Sequence, residues 1–267
     1  MKHIVCFSGG KDSTALVLWA KENLTEFTTV FCDTGWEHPI TYAYIEEINR
    51  TLLDGKLVTL KSEKYPQGFV QLCVEKGRVP SVRMRFCTDK LKTAPIIKWL
   101  KTIDDEATLY QGIRADESAA RSRMAESCFD DNFDAEIRRP LLRWSAEDCF
   151  AMMRKHGVQP NPLYLMGAGR VGCFPCIMVN MRELKAYLNH PINGPMLKTR
   201  VLELERSVGG SFFSPGDVPE RFCSGRTEEG KIFPWAQDVF RYIDSVNEDQ
   251  LPLLPERSCM SVYNLCE

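Results

Sequence analysis

Six consecutive residues near the N-terminus, Ser8-Gly9-Gly10-Lys11-Asp12-Ser13, carry the groups an anion site needs. Glycine lets main-chain N–H groups approach an anion closely, and the start of a helix adds a favourable dipole. The hydroxyls of Ser8 and Ser13 can donate further hydrogen bonds, and Lys11 supplies a point charge. Asp12 is out of place beside phosphate unless a divalent cation stands between them. That favours Mg²⁺, which binds through a small number of carboxylates together with substrate phosphates. The spacing is not that of the Walker loop, which separates its first glycine from its Gly-Lys pair, and it is not the dinucleotide fingerprint.

The second chemical signal is thiol. The chain holds eleven cysteines, an odd number that cannot be fully paired within one chain. Its first residues, Met1 to Ser8, turn polar too quickly for a secretory signal, so the cytoplasm is the expected location. A reducing compartment disfavours disulfides and directs excess cysteine toward metal binding or thiol chemistry. Cys173-Phe174-Pro175-Cys176 is the sharpest pair: two cysteines at this spacing hold one metal ion, hold a cluster edge, or cycle as a dithiol. Cys6, Cys32, Cys73, Cys128 and Cys149 sit in strand- or helix-like apolar surroundings, where core packing is expected.

The elements that must position these groups alternate in type. His3–Phe7 reads as a buried strand and Ser13–Asn23 as a helix; Thr28–Cys32 is the next strand, followed by a helix opening near Pro39. Residues 56–60 give a third strand, 68–76 a helix, 93–103 another helix and 108–111 another strand. Such alternation predicts an α/β fold with an open, mostly parallel sheet and helices on both faces. The loop 8–13 then lies after the first strand and before the first helix, where such sheets bind ligands. After Pro140 the character becomes helical, with Ser145 and Asp148 placed close to a capping box and further helices at 182–189, 196–208 and 235–246. The expected division is a nucleotide-binding domain over 1–145 and a helical, cysteine-bearing portion over 146–267.

Of the 267 residues, 44% are hydrophobic and 26% charged, the balance of a globular chain with a real core, which excludes disorder over most of the length. No apolar run approaches the roughly 18 residues that span a bilayer, so no membrane partner is expected. The net charge is −2, but eight Lys/Arg fall between Lys76 and Lys101 against Asp89 alone. A basic run in a nearly neutral chain suggests a phosphate-bearing ligand more than general nucleic-acid coating.

The Ser-Gly-Gly-Lys-Asp-Ser run resembles the PP-loop of the ATP pyrophosphatase superfamily, whose members cleave ATP between the α and β phosphates. Further segments narrow the resemblance. They are Asp33-Thr34-Gly35-Trp36-Glu37-His38-Pro39, Gly112-Ile113-Arg114-Ala115-Asp116-Glu117-Ser118 with Arg121, Pro140-Leu141-Leu142-Arg143-Trp144, Asn161-Pro162-Leu163-Tyr164 and Gly172-Cys173-Phe174-Pro175-Cys176. In this order they resemble the phosphoadenylyl-sulfate (PAPS) reductase family, over residues 3 to 180. That family includes sulfonucleotide reductases, the small subunit of bacterial ATP sulfurylase and the sulfur-transfer enzymes of DNA phosphorothioation.

The resemblance implies an adenine nucleotide α-hydrolase-like fold and a site shared among these segments. Ser8, Gly9, Gly10, Lys11, Asp12 and Ser13 would hold phosphates, Asp33 and Thr34 the nucleoside, and Gly112 and Arg114 the phosphates or a sulfate. Arg121 would do likewise or else pair with Glu117, four residues earlier; His38 would orient a loop or a phosphate. Lys11, Asp12, Cys87 and Arg114 are the expected catalytic groups.

In one branch a Gly-Cys-x-Pro-Cys segment binds a [4Fe–4S] cluster together with an earlier Cys-Cys pair, at whose place this chain has Phe86-Cys87. Four of Cys87, Cys173, Cys176, Cys223, Cys259 and Cys266 would thus hold a [4Fe–4S] cluster or Zn²⁺. A competing set, Cys173, Cys176, Cys259 and Cys266, leaves Cys87 free as a sulfur carrier.

Sulfonucleotide reductases carry an altered phosphate loop and a C-terminal Glu-Cys-Gly-Leu-His segment. This chain keeps the intact loop and ends Asn264-Leu265-Cys266-Glu267. The expectation is therefore ATP-dependent sulfur transfer with Mg²⁺, to DNA, tRNA or a small molecule, supplied by a sulfur-donor protein. Reduction of PAPS or adenylyl sulfate with thioredoxin, and nucleotide binding without turnover, are the alternatives.

Overall fold

The computed structural model describes residues 1–247 and Leu251. Strand β1 (Lys2–Phe7) forms the middle of a six-stranded sheet. Ile4 and Val5 are both fully buried and point to opposite faces, the pattern of a strand covered on both sides. Beside it on one side lie β2 (Thr28–Cys32) and then β3 (Val58–Leu60). On the other lie β4 (Ala107–Tyr110), β6 (Ala135–Arg138) and the edge strand β5 (Ser127–Asp130). All pairings are parallel except β5 with β6. The chain leaves β1 toward one side of the sheet and returns to its other side, so the order reverses at β1, the edge where open sheets take ligands.

Three helices cover one face: α1 (Lys11–Asn23), α2 (Pro39–Leu52) and α6 (Ala146–Lys155). Ala15, Leu16, Val17 and Leu18 of α1 are all fully buried because α1 lies between the sheet and α6, whose Cys149 and Met153 complete that layer. A helix apolar all round is a buried helix. The change of composition near 145 does not coincide with a change of layer, since α6 packs on α1 in the layer that covers this face of the sheet. The other face is closed by α5 (Ala94–Leu100), through Ile96 and Leu100 on Ile4, Val30 and Leu109.

The predicted helix over 93–103 begins earlier than its periodicity suggested. The short α4 (Phe86–Thr88) runs into a wide π turn, Asp89–Thr93, and then into α5. Such turns interrupt the helical repeat and recur at functional sites; here it carries Lys92. The hairpin of β5 and β6 was not visible in the sequence, because β5 is an exposed edge strand in an acidic stretch and shows no alternation of burial.

A third layer gathers α3 (Phe69–Lys76), α7 (Met181–Asn189), α8 (Asn193–Val208) and α9 (Ala236–Ser245), with the small hairpin β7 (Gly225–Arg226) and β8 (Ile232–Phe233). Trp36 and Phe174 belong to the same cluster, so the loop after β2 and the Cys173–Cys176 segment are packed together by this layer. No helix among the described residues is long and apolar enough to cross a membrane.

Candidate functional site

The phosphate loop closes directly onto the start of α1. Gly9 takes a left-handed backbone with φ of 80°, which a side chain would strain, and Gly10 is the residue before the helix. The Ser13 hydroxyl donates to the Gly10 carbonyl at 3.0 Å and stands 3.1 Å from that of Ser8. Two residues from the Asn161–Tyr164 segment fasten the loop from outside. Asn161 donates to the Gly9 carbonyl at 3.2 Å, and the Tyr164 hydroxyl accepts from the Lys11 N–H at 2.9 Å. These are roles the sequence did not assign, although both residues stand in a quoted motif.

Asp12 is fully buried, and its partners are cations of the protein. Its Oδ1 accepts from Arg114 Nε at 2.5 Å and from the Cys149 thiol at 3.3 Å, while Oδ2 is 3.1 Å from Lys11 Nζ. Within the protein, Asp12 is thus a buried ion-pair centre that fixes Lys11 and Arg114. Arg114 also reaches Asp116 at 2.5 Å through Nη1. Burial opposes the guanidinium charge, but Asp12 and Asp116 overcome it and hold the pKa above the ordinary arginine value. Gly112 permits this approach, since a Cβ there would stand 3.1 Å from the Asp12 carbonyl carbon. Arg121 is buried and pairs with Glu117 at the i,i+4 spacing, so the structure shows the salt-bridge alternative.

The segment after β2 is held by its own side chains. Buried Glu37 accepts from the Thr34 hydroxyl at 2.6 Å and from the Tyr42 hydroxyl at 2.8 Å. Main-chain contacts then tie it to the cysteine segment: Glu37 pairs with Cys173 in an isolated bridge, Phe174 N–H donates to the Trp36 carbonyl at 2.8 Å, and the Trp36 indole donates to the Pro175 carbonyl at 3.0 Å. His38 caps α2, its Nδ1 accepting from Ile40 N–H at 3.0 Å, and so helps to orient the loop.

Burial alone would raise the Asp33 pKa. The Tyr42 hydroxyl at 2.6 Å, Lys61 at 2.9 Å and the Gly35 N–H at 2.9 Å outweigh it and hold the carboxyl below its usual range. A depressed folded pKa means that the charged form stabilises the fold. The contribution is complete above the unfolded value of about 3.9 and is lost as pH falls through the lower folded value. Asp33→Asn is therefore expected to be less stable than the parent at pH 7, with the gap closing below about pH 4. Denaturant titrations between pH 2.5 and 7 measure this; a gap that stays constant across that range contradicts it.

Two cavities meet at this edge. The first runs over the ends of β1, β2 and β4 from Ser8 and Ser13 to Cys6, Cys32, Glu37, Gln111 and Gly112. The second is lined by Thr34, Arg85, Cys87, Arg170, Cys173 and Cys176 among others. Lys92 and Gly172 line both, so the cavities adjoin. The basic run is accordingly not one solvated face. Arg85 and Lys92 turn inward, whereas Lys90 pairs with Asp89 at 2.8 Å and Lys98 with Glu63.

Cys87, Cys173 and Cys176 share the second cavity. Burial raises the Cys173 pKa, Lys92 works against that, and Glu37, Cys176 and Cys87 reinforce it. Cys223 lies elsewhere, its thiol 3.7 Å from the Pro219 carbonyl, and Cys259 and Cys266 are outside the described residues. Among the described residues no three His, Cys, Asp or Glu side chains are arranged to hold one ion, so a four-thiolate centre is not completed by them. Of the cysteines expected in the core, Cys73 and Cys149 are buried and Cys6 and Cys32 line the first cavity. Cys128 is exposed because nothing among the described residues covers the edge strand β5.

The sequence profile described as "Phosphoadenosine phosphosulfate reductase domain" matches residues 2–179. An uncharacterized 37.8 kDa protein of Escherichia phage 186 is 34% identical over 282 residues, covering 85% of this chain and 83% of that protein. The adenosine 5'-phosphosulfate reductase of Deinococcus radiodurans is 28% identical, and that of Anoxybacillus flavithermus 24%. Each match covers 55% of this chain and spans only 55% and 60% of those enzymes, respectively. Among solved structures, the PAPS reductase of Candida auris in its phosphate complex shares the fold, with a TM-score of 0.51 at 13% identity over 66% of this chain and 83% of that one. With the profile covering most of its length and the profile's segments converging on one sheet edge, the chain belongs to the phosphoadenosine phosphosulfate reductase domain family.

Proposed function

We propose that this chain cleaves ATP between its α and β phosphates and uses the resulting adenylate to transfer sulfur from a cysteine to an acceptor. The observation that carries the proposal is the adjacency of the two cavities: an anion loop opens into one, thiols line the other, and Lys92 and Gly172 form the wall between. The amides of the loop and the hydroxyls of Ser8 and Ser13 bind phosphate oxygens, and Mg²⁺ enters with ATP as part of the substrate. Lys11 stabilises charge developing on the leaving pyrophosphate.

An acceptor oxygen attacks the α phosphorus, the bond to the α–β bridging oxygen breaks, and pyrophosphate leaves. Cys87, carrying a persulfide from a sulfur-donor protein, attacks the activated acceptor atom, a carbon or, for a DNA phosphodiester, the phosphorus, with its terminal sulfur. AMP departs with the oxygen, leaving an acceptor–S–S–Cys87 linkage. Cys173 or Cys176 then attacks the Cys87 sulfur, releases the acceptor thiolate and forms a protein disulfide, which an external dithiol of the thioredoxin class reduces. Lys92 favours the thiolate form of Cys173. DNA, tRNA and small hydroxyl or carbonyl compounds are the acceptor classes to test.

Incubating the anaerobically purified, persulfide-loaded chain with ATP and each acceptor class is expected to yield AMP and pyrophosphate in equal amounts. ADP and phosphate as the products would overturn the reading. A second reading, reduction of PAPS or adenylyl sulfate to sulfite, is favoured by the similarity to the two adenosine 5'-phosphosulfate reductases. Sulfite release from either sulfonucleotide with a dithiol, while ATP stays whole, would establish it instead.

A further inference from the structure

The first cavity contains a polar side chain that the fold itself does not use. Gln111 follows β4, is 3% exposed and lines the cavity, and its Oε1 is fully buried with no hydrogen-bond partner among the described residues. Its main chain is fixed, the N–H donating to the Arg138 carbonyl at 2.9 Å. Along the strand, Tyr110 packs toward α1 and Leu109 toward α5, so alternation sends Gln111 to the Leu109 side, into the cavity. Other polar groups there are engaged: Ser8 with Ser13, and Glu37 with Thr34 and Tyr42. A buried amide without a partner is costly, and native folds keep one chiefly where something besides the fold satisfies it.

The surroundings say what that is. Val30, Ile96 and Ile113 give apolar walls, Cys6 and Cys32 add soft thiols, and the phosphate loop stands at one end. This is a slot for a flat ring with one polar edge, joined to an anionic tail. A carboxamide presents a donor and an acceptor in one plane, which matches the 6-amino group and N7 of adenine. Guanine offers two acceptors on the same edge, and neither orientation of the amide satisfies both.

We infer that Gln111 reads the 6-amino edge of adenine and is a specificity-determining residue for the nucleotide. The inference rests on the adenine-nucleotide reading above and adds the residue that selects the base.

Gln111→Leu keeps the volume and removes the amide. Calorimetric binding of ATP, GTP and purine riboside triphosphate, which lacks the 6-amino group, tests the assignment on the full chain. The parent is expected to prefer ATP over the purine analogue by about tenfold. In the variant, ATP binding weakens by about tenfold and the preference disappears. Without nucleotide, the variant melts no lower than the parent, since no protein partner is lost. A variant that keeps the ATP preference, or one that melts far lower while keeping it, overturns the inference. If the parent binds ATP and forms pyrophosphate but binds the purine analogue equally well, this inference alone fails. If it binds no adenine nucleotide, the adenylate reading falls with it.

Discussion

Replacing Asp12 by asparagine is expected to be among the most damaging single changes in this chain. The carboxylate has no solvent exposure and holds Arg114 at 2.5 Å and Lys11 at 3.1 Å, with the Cys149 thiol at 3.3 Å. Removing its charge leaves a guanidinium, only 6% exposed, without its closest buried counter-ion. Breaking a buried pair in this way costs about 3–5 kcal/mol, because the stranded charge keeps its desolvation penalty. In a chain of this size that lowers the melting temperature by roughly 6–20 °C. Asp116 supplies an internal control. It also contacts Arg114 at 2.5 Å, but its side chain is 52% exposed, so Asp116→Asn should cost no more than about 1 kcal/mol. Thermal unfolding of the two variants side by side measures the contrast. Equal, small effects would show that Asp12 is not the buried centre of the loop.

Lys11→Ala carries the largest expected effect on turnover. The ammonium is buried, stands over the Tyr164 ring at 5.5 Å from its centroid and is oriented by Asp12, so it is fixed before any phosphate arrives. Preorganised charge aimed at a developing anion contributes to the rate without reorganisation, and deleting one such group costs about 10²–10³-fold. Pyrophosphate release should fall by that factor, with much less change in ATP binding, because the loop amides remain. A fall in binding that matches the fall in rate would make Lys11 a ground-state ligand instead.

The parts of this site legible in the sequence were those written locally. The alternation of apolar runs gave β1, α1, β2 and α2, and a strand–glycine–helix junction carries its own chemistry at residues 8–13. What is non-local stayed hidden. Asp12 and Arg114 are 102 residues apart, and nothing near Asp12 announces Arg114 as its partner. Lys92 appeared only as one charge in a basic run, because the π turn that carries it has no sequence signature. Gln111, a lone polar residue at the end of an apolar strand, gave no signal, since its meaning depends on which face of the sheet it meets. The three thiols of the second cavity were grouped by resemblance; all three line it, and the contacts of Trp36 with Phe174 and Pro175 fasten the Cys173–Cys176 segment to the loop after β2.

A crystal structure of the chain with the α,β-methylene analogue of ATP would test the junction of nucleotide and thiol cavities most directly. The α phosphate should lie against the main-chain amides of residues 9–13, the base over the ends of β1, β2 and β4 beside Gln111, and the α phosphorus should open toward the cavity of Cys87, Cys173 and Cys176. An analogue bound away from the loop, or with its α phosphate walled off from those thiols, would contradict the account.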